Sequence, residues 1–223
     1  MDNHCEFCDE WAGGQSNSFR RNFSLEQLPN RTLASTQHFK IVVGLGALRE
    51  GYLLILPVEH IRCMGYLSNP EYFLELAFIL QRTREICEDH YQSPMIFFEH
   101  GNFSDDKPGG SCLDHAHIHC LPLTQDISEI LNRQLSGYPI DQLIELRKPI
   151  MVLEAYLFVE DQSGQRFIYL LPNNLPSQYM RRIWASLISE DDLWDWGVFL
   201  GKENIIKTYQ KLQPHFKRHF PWV

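Results

Sequence analysis

Three histidines, His115, His117 and His119, stand at every second position of residues 109–123, GGSCLDHAHIHCLPL. Alternate side chains of a β-strand share a face, so this spacing predicts three imidazoles on one side and Ala116, Ile118 and Cys120 on the other. Neutral imidazole is both a nucleophile and a metal ligand, and its charge changes near neutral pH. Crowded imidazoles resist becoming cations together, which leaves at least one neutral and able to attack an electrophile. Immediately upstream, Gly109, Gly110 and Ser111 offer backbone N–H groups to a phosphate.

A second constellation is Cys5-Glu6-Phe7-Cys8. Two thiolates three positions apart can hold one Zn²⁺ from a tight turn, but they form only half a site. His60 and His115 are the candidates for the other half. A redox dithiol is the rival reading, and the segment lacks the strand-then-helix setting that reading requires. A third group is Gln178, Arg181 and Arg182, spaced i, i+3, i+4. It predicts one helical face that reaches the cleft and meets substrate phosphates through bidentate arginine. Surface ion pairs for Arg181 and Arg182 are the alternative.

These residues need elements to position them. Residues 38–43, HFKIVV, and 52–57, YLLILP, read as two strands joined by residues 44–51. Residues 70–91 carry apolar side chains at helical spacing (Phe73, Leu76, Ile79, Leu80, Ile86), with Asn69 as N-cap and Pro70 at the first helical position. Residues 94–100 read as a central strand, with Glu99 and His100 as strand-end polarity. Residues 101–110 form a polar loop suited to a mobile lip over the site. Residues 11–34 read as loop. Farther on, residues 127–147 look helical, broken at Gly137-Tyr138-Pro139. Residues 151–161 and 165–171 make a hairpin signal around Gln162-Ser163-Gly164. Residues 177–187 form a helix capped by Ser177, and residues 204–212 a final amphipathic helix.

The stretch HAHIHCL resembles the pattern of the histidine-triad (HIT) superfamily of nucleotide hydrolases and transferases, in which His alternates with apolar residues. Pro57-Val58-Glu59-His60 resembles the end of the family's second long strand. The resemblance covers residues 1 to about 125. It implies an α+β fold: a mostly antiparallel sheet with a long helix packed on it, formed by residues 1–125. Residues 126–223 would be a mixed extension packed on the same domain. It also implies a structural Zn²⁺ on Cys5, Cys8, His60 and His115, as in the zinc-bearing branches. Phosphate contacts would come from Gly110, Ser111 and Cys112, where the family commonly has Gln and a small hydroxyl residue. Two positions depart from the family: Gly44 where Asp often binds ribose, and Gly51-Tyr52 where a Gly-His pair is usual.

The implied chemistry is nucleophilic catalysis on a nucleotide phosphoanhydride or phosphoramidate. His117 attacks the α-phosphorus and carries the nucleotidyl group, while His119 and Ser111 stabilise phosphate charge. Water as acceptor gives hydrolysis; phosphate or a sugar phosphate gives phosphorolysis or transfer. The transferase branches usually carry Gln at the third triad position, so His119 favours the hydrolase. A zinc-stabilised nucleotide-binding module without turnover is another alternative, raised by Gly44 and Cys112. A redox protein using Cys5 and Cys8 is the remaining one.

Composition bounds the partners. The chain has 223 residues and a net charge of −8, which disfavours non-specific nucleic-acid binding. No apolar run is long enough to span a bilayer, and the polar, acidic first residues are unlike a signal peptide. Six cysteines without a secretory pattern suit a reducing, cytoplasmic compartment. The expected partner is a small-molecule nucleotide or nucleotide conjugate, with a homodimer left open.

Overall fold

The computed structural model describes residues 5–103, 115–151, 155–172 and 175–220. Two short helices come first, α1 (Glu6–Trp11) and α2 (Ser18–Asn22). Strands β1 (Thr32–Ser35), β2 (Phe39–Val43) and β3 (Leu53–Pro57) precede the long helix α3 (Pro70–Tyr91). Then follow β4 (Met95–Asn102), β5 (Ile118–Pro122), helix α4 (Ile127–Asn132), and strands β6 (Gly137–Ile140), β7 (Ala155–Glu160) and β8 (Arg166–Leu170). Helices α5 (Tyr179–Leu187) and α6 (Lys202–His219) complete the described chain. The eight strands form one sheet in the order β1-β2-β3-β5-β4-β7-β8-β6, every neighbouring pair antiparallel. The fold is therefore α+β, and strands from the second half of the chain extend the sheet beyond β4.

The long helix has the bounds its sequence predicts. The Asn69 side chain accepts from Glu71 N–H, Pro70 occupies the first turn, and Gln92 ends the helix in the left-handed conformation. Such a cap contributes about 1 kcal/mol. Phe73, Leu76, Ile79, Leu80, Ile86 and Cys87 are buried along one stripe. This stripe lies on the sheet face to which β5 turns Ile118 and Cys120, because Cys87 of α3 is close enough to Cys120 to raise its pKa. The opposite face of β5 carries His119.

Several segments differ from expectation. Residues 11–34 hold the last residue of α1, all of α2 and most of β1, anchored by buried Phe19, Phe23, Leu28 and Leu33 among polar neighbours. These elements are only four to six residues long, too short for a clear period. The break at Gly137-Tyr138-Pro139 is itself β6, an edge strand, where a proline without N–H is tolerated. Ser177 does not cap α5; Gln178, left-handed at φ 57°, precedes the helix. Helix α6 runs through Pro214 to His219. An interior proline costs ~3 kcal/mol, and burial of Phe216 and Phe220 contributes about 1.5–3 kcal/mol each in return.

Glu99 and His100 are interior residues, correcting their reading as strand-end polarity. On β4 they point to opposite faces. His100 joins the cleft described below, and Glu99 turns away from it with 1% exposure. Tyr156 O–H donates to its Oε2 at 2.5 Å and Met64 N–H to its Oε1 at 2.7 Å. Burial outweighs these bonds and pushes its carboxyl up to about 7. A carboxyl whose folded pKa exceeds its unfolded value of about 4.5 lowers stability as pH rises between the two, and the penalty persists above 7. The unfolding free energy of wild type, measured against Glu99→Gln in urea, should therefore fall by ~3 kcal/mol from pH 4.5 to pH 8. A difference constant over that range would show that Glu99 titrates normally.

Candidate active site

The sheet register builds the floor of a cleft. Leu54 of β3 and Phe98 of β4 both pair with His119 of β5, so three side chains stand in a row across three strands. Period two then brings Tyr52 and His100 to the same face. His117 lies beside this row, its ring centroid 4.6 Å from that of His119. The cleft encloses about 700 Å³, its mouth included. Its walls include Phe7 and Glu10 of α1, Phe19 of α2, Arg31, and on the other part of the chain Gln178, Arg181 and Trp196.

Of the triad, only His119 lies within a strand, whereas the alternation predicts all three there. The segment leaves the ladder because its polar groups bond elsewhere. Ala116 N–H donates to the Ile61 carbonyl at 2.7 Å, and His115 Nε2–H donates to the Pro57 carbonyl at 2.9 Å. Ala116, Ile118 and Cys120 are buried, as the pattern expects.

Each imidazole has a distinct environment. A carbonyl only accepts, so the Pro57 contact fixes the proton of His115 on Nε2 and leaves a lone pair on Nδ1. His117 is the reverse: Nδ1–H donates to the His115 carbonyl at 2.8 Å, which leaves the lone pair on Nε2. His119 shares a 2.6 Å hydrogen bond between its Nδ1 and the Tyr52 hydroxyl. Its ring is stacked on Phe98 at 4.4 Å. Burial holds all three neutral. His115 is lowered to about 4 by burial, helped by His60 and His117. His117 is lowered by burial and then by the Arg31 charge. His119 falls well below the usual range through burial, followed by His117, His100 and Arg181.

Tyr52 explains both departures at the first hairpin. A Cβ on Gly44 would lie 2.4 Å from the Tyr52 ring, far inside contact distance. Gly44 and Tyr52 are cross-strand neighbours, with Gly44 N–H donating to the Tyr52 carbonyl at 3.1 Å. The small residue at 44 and the aromatic one at 52 are one feature, which puts a phenol beside His119. The local signal was their placement on facing strands of a hairpin.

The four sulfur and nitrogen ligands named from sequence do converge. Cys5 is the N-cap of α1 and accepts from Cys8 N–H, so both thiols sit on the first helical turn. Buried Phe7 between them anchors that turn beside the triad, 5.7 Å from His115 and 6.0 Å from His117 between ring centroids. Candidate ligand atoms of Cys5, Cys8, His60 and His115 all lie within 4.8 Å of one another. His60 Nδ1 is 3.2 Å from His115 Nδ1, Cys5 Sγ and Cys8 Sγ are 3.5 and 3.7 Å from His115 Nδ1, and Cys8 Sγ is 3.5 Å from His60 Nδ1. A tetrahedral ion with bonds of about 2.3 Å to sulfur and about 2.0–2.1 Å to nitrogen separates its ligand atoms by roughly 3.3–3.8 Å. These four separations, 3.2–3.7 Å, are close to that range. Burial and the adjacent Cys5 push the Cys8 thiol up to about 11, a penalty that a bound cation reverses.

Other expected site residues fare differently. Gly110, Ser111 and Cys112 lie outside the described residues, as does most of the lip at 101–110. Arg181 lines the cleft with Gln178. Arg182 does not belong to the lining: its Nε–H donates to the Ser177 carbonyl and its guanidinium stacks 3.2 Å above the Trp194 ring. Gln178 stands just before α5 in the left-handed conformation, so the i, i+3, i+4 alignment does not hold, and the Trp194 ring and Ser177 carbonyl take Arg182 away from the cleft. Tyr52, read from sequence as a departure from the family, and His100, read as strand-end polarity, line the cleft, as do Phe7, Arg31 and Trp196, which the sequence reading gave no part in it. Among the described residues, no helix is long and apolar enough to cross a membrane.

No family model and no curated protein matches the chain. Solved structures similar to it include a hypothetical histidine triad nucleotide-binding protein from Sulfolobus tokodaii, at 16% identity and a TM-score of 0.39, covering 54% of this chain and 70% of that one. A HIT family member from Bacillus subtilis has 17% identity and a TM-score of 0.41, covering 54% and 74%. Yeast Ap4A phosphorylase in complex with Ap4A has 9% identity and a TM-score of 0.41, covering 86% and 79%. These structural neighbours are histidine-triad proteins or the phosphorylase.

Proposed function

We propose that the chain is a histidine-triad nucleotide hydrolase that works through a nucleotidyl-histidine at His117. The observation carrying this reading is the hydrogen bond from His117 Nδ1–H to the His115 carbonyl. It turns a neutral Nε2 lone pair outward from a residue that lines the cleft. In the first step the Nε2–P bond forms and the bond from phosphorus to the leaving group breaks. In the second, water attacks phosphorus, the P–N bond breaks, and a nucleoside monophosphate leaves. The Tyr52 O–H donates to Nδ1 of His119, which keeps the His119 proton on Nε2 and makes that nitrogen a donor to phosphate oxygen or to the leaving group. Ser111, Gly110 and Cys112 contribute further phosphate contacts in this reading.

The metal is a structural Zn²⁺. Cys5, Cys8, His60 and His115 would all be occupied by it, a closed set with no position for substrate. When bound it neutralises the thiolates and ties α1 to the end of β3 and to the triad. The Pro57 carbonyl orients His115 as a ligand through the nitrogen that does not face the metal.

The reading is tested by a screen of adenylated and guanylated phosphoanhydrides and phosphoramidates with product detection, wild type beside His117→Asn. A nucleoside monophosphate released by wild type alone supports it. No turnover of any member by wild type would favour a binding module. Tyr52→Phe should reduce kcat about 3- to 10-fold, the worth of a neutral hydrogen bond, with little change in KM. It should also shift the ¹⁵N resonances of His119 away from the pattern of a protonated Nε2. Unchanged resonances and kcat would remove Tyr52 from the mechanism.

A further inference from the structure

Two arginines line the cleft, and their circumstances differ. Arg31 is fully committed: Nε and Nη2 donate to the Glu10 carboxylate at 2.7–3.1 Å, and Nη1 donates to the Val43 carbonyl at 3.1 Å. Arg181 is 3% exposed, and only its Nε–H is satisfied, by the Trp194 carbonyl at 2.8 Å. Among the described residues neither Nη1 nor Nη2 has a hydrogen-bond partner. Guanidinium does not lose its proton in a protein, so burial cannot neutralise it. A buried cation with both amino groups idle is costly unless an anion meets it.

The surroundings hold this group in place. Its carbon lies 5.7 Å from the centroid of the Tyr52 ring, whose hydroxyl reaches His119. A Cβ on Gly46 would come within 3.0 Å of Nη2 and 2.5 Å of the Trp196 Cβ, so a glycine admits both side chains there. The Gln178 side chain bonds Asp195 and the Trp196 N–H, bracing the segment whose carbonyl anchors Arg181. The guanidinium is thus held in the wall of the cleft, beside Tyr52.

We infer that Arg181 receives a second phosphate of the substrate, so that the enzyme acts on nucleotides bearing a phosphoanhydride in preference to phosphoramidates. This rests on the reading that the α-phosphate sits at His117. The planar fork suits two oxygens of one phosphate, and the charge would also offset the negative charge gathering on a leaving phosphate.

The test is calorimetric titration of the full chain with AMP, ADP, GMP and GDP, using wild type, Arg181→Met and Arg181→Lys. Wild type should bind the diphosphate of its preferred base about 10- to 100-fold more tightly than the monophosphate. Arg181→Met should reduce that ratio to near one with little change in monophosphate affinity, and Arg181→Lys should keep part of it. Because the methionine removes an uncompensated buried charge, its nucleotide-free Tm should equal or exceed that of wild type. Equal affinity of wild type for mono- and diphosphates, absence of binding by all four, or discrimination retained in Arg181→Met would overturn the inference. Arg181-dependent discrimination without any covalent species at His117 would remove the catalytic reading alone. A covalent species without discrimination would remove this inference alone.

Discussion

His117→Asn is expected to lower kcat on the true substrate by on the order of 10⁴-fold or more, the loss that follows removal of a nucleophile. The substitution is mild for the fold. Asparagine places its amide nitrogen where Nδ1 stands, so the hydrogen bond to the His115 carbonyl can persist while Nε2 disappears. His119→Ala should be less severe, by about 10²–10³-fold, since it removes a charge-stabilising donor and leaves the attacking group. The two are separated by stopped-assay kinetics on variants whose Tm values match wild type. Activity of His117→Asn within tenfold of wild type would move the chemistry to another residue.

Removal of the metal should have the largest effect on stability. Four candidate ligands from the start of α1, the segment after β3 and the start of the triad segment lie together, so an ion bound there would close loops of more than fifty residues. Structural zinc contributes folding energy directly. Chelation of the purified protein should lower Tm by on the order of 10 °C or more, and Cys5→Ser should reproduce the loss. The effect should extend to the cleft, because Phe7 lies between the two thiols and lines it. Elemental analysis should find one zinc per chain. Absence of stoichiometric metal, or a chelated protein with unchanged Tm, would contradict the assignment.

The parts of this molecule that were legible in its sequence are those where local chemistry and tertiary demand agree. Asn69-Pro70 and the apolar stripe after it specify α3 whatever it packs against. The strands at 39–43, 155–160 and 166–170 carry β-branched or aromatic residues and the strand at 53–57 is a short leucine-rich apolar run, each bounded by turns. Cys5, Cys8, His60 and His115 were expected together because the C-x-x-C pair supplies half a site and the family resemblance points to the two histidines, and the fold does bring the four together. Elements held by long-range contacts were not legible. Helix α1 is six residues long, and much of what holds it is buried Phe7 and the Glu10–Arg31 pair. Strand β6 exists because β8 offers it an edge, and α6 passes Pro214 because Phe216 and Phe220 have a core to enter. At the site, Gln178 and Arg181 do line the cleft, but spacing could not say that Trp194 would draw Arg182 away. The coupling of Gly44 to Tyr52 required seeing two departures as neighbours across a hairpin.

The central claim is that His117 carries the nucleotidyl group. Substrate labelled at the α-phosphate, mixed with enzyme and quenched in alkali within a single turnover, should leave label on wild type. Peptide mass spectrometry should find it on His117, with none on His117→Asn. Label found on another residue, or product formed at full rate with no labelled enzyme at any quench time, would contradict it.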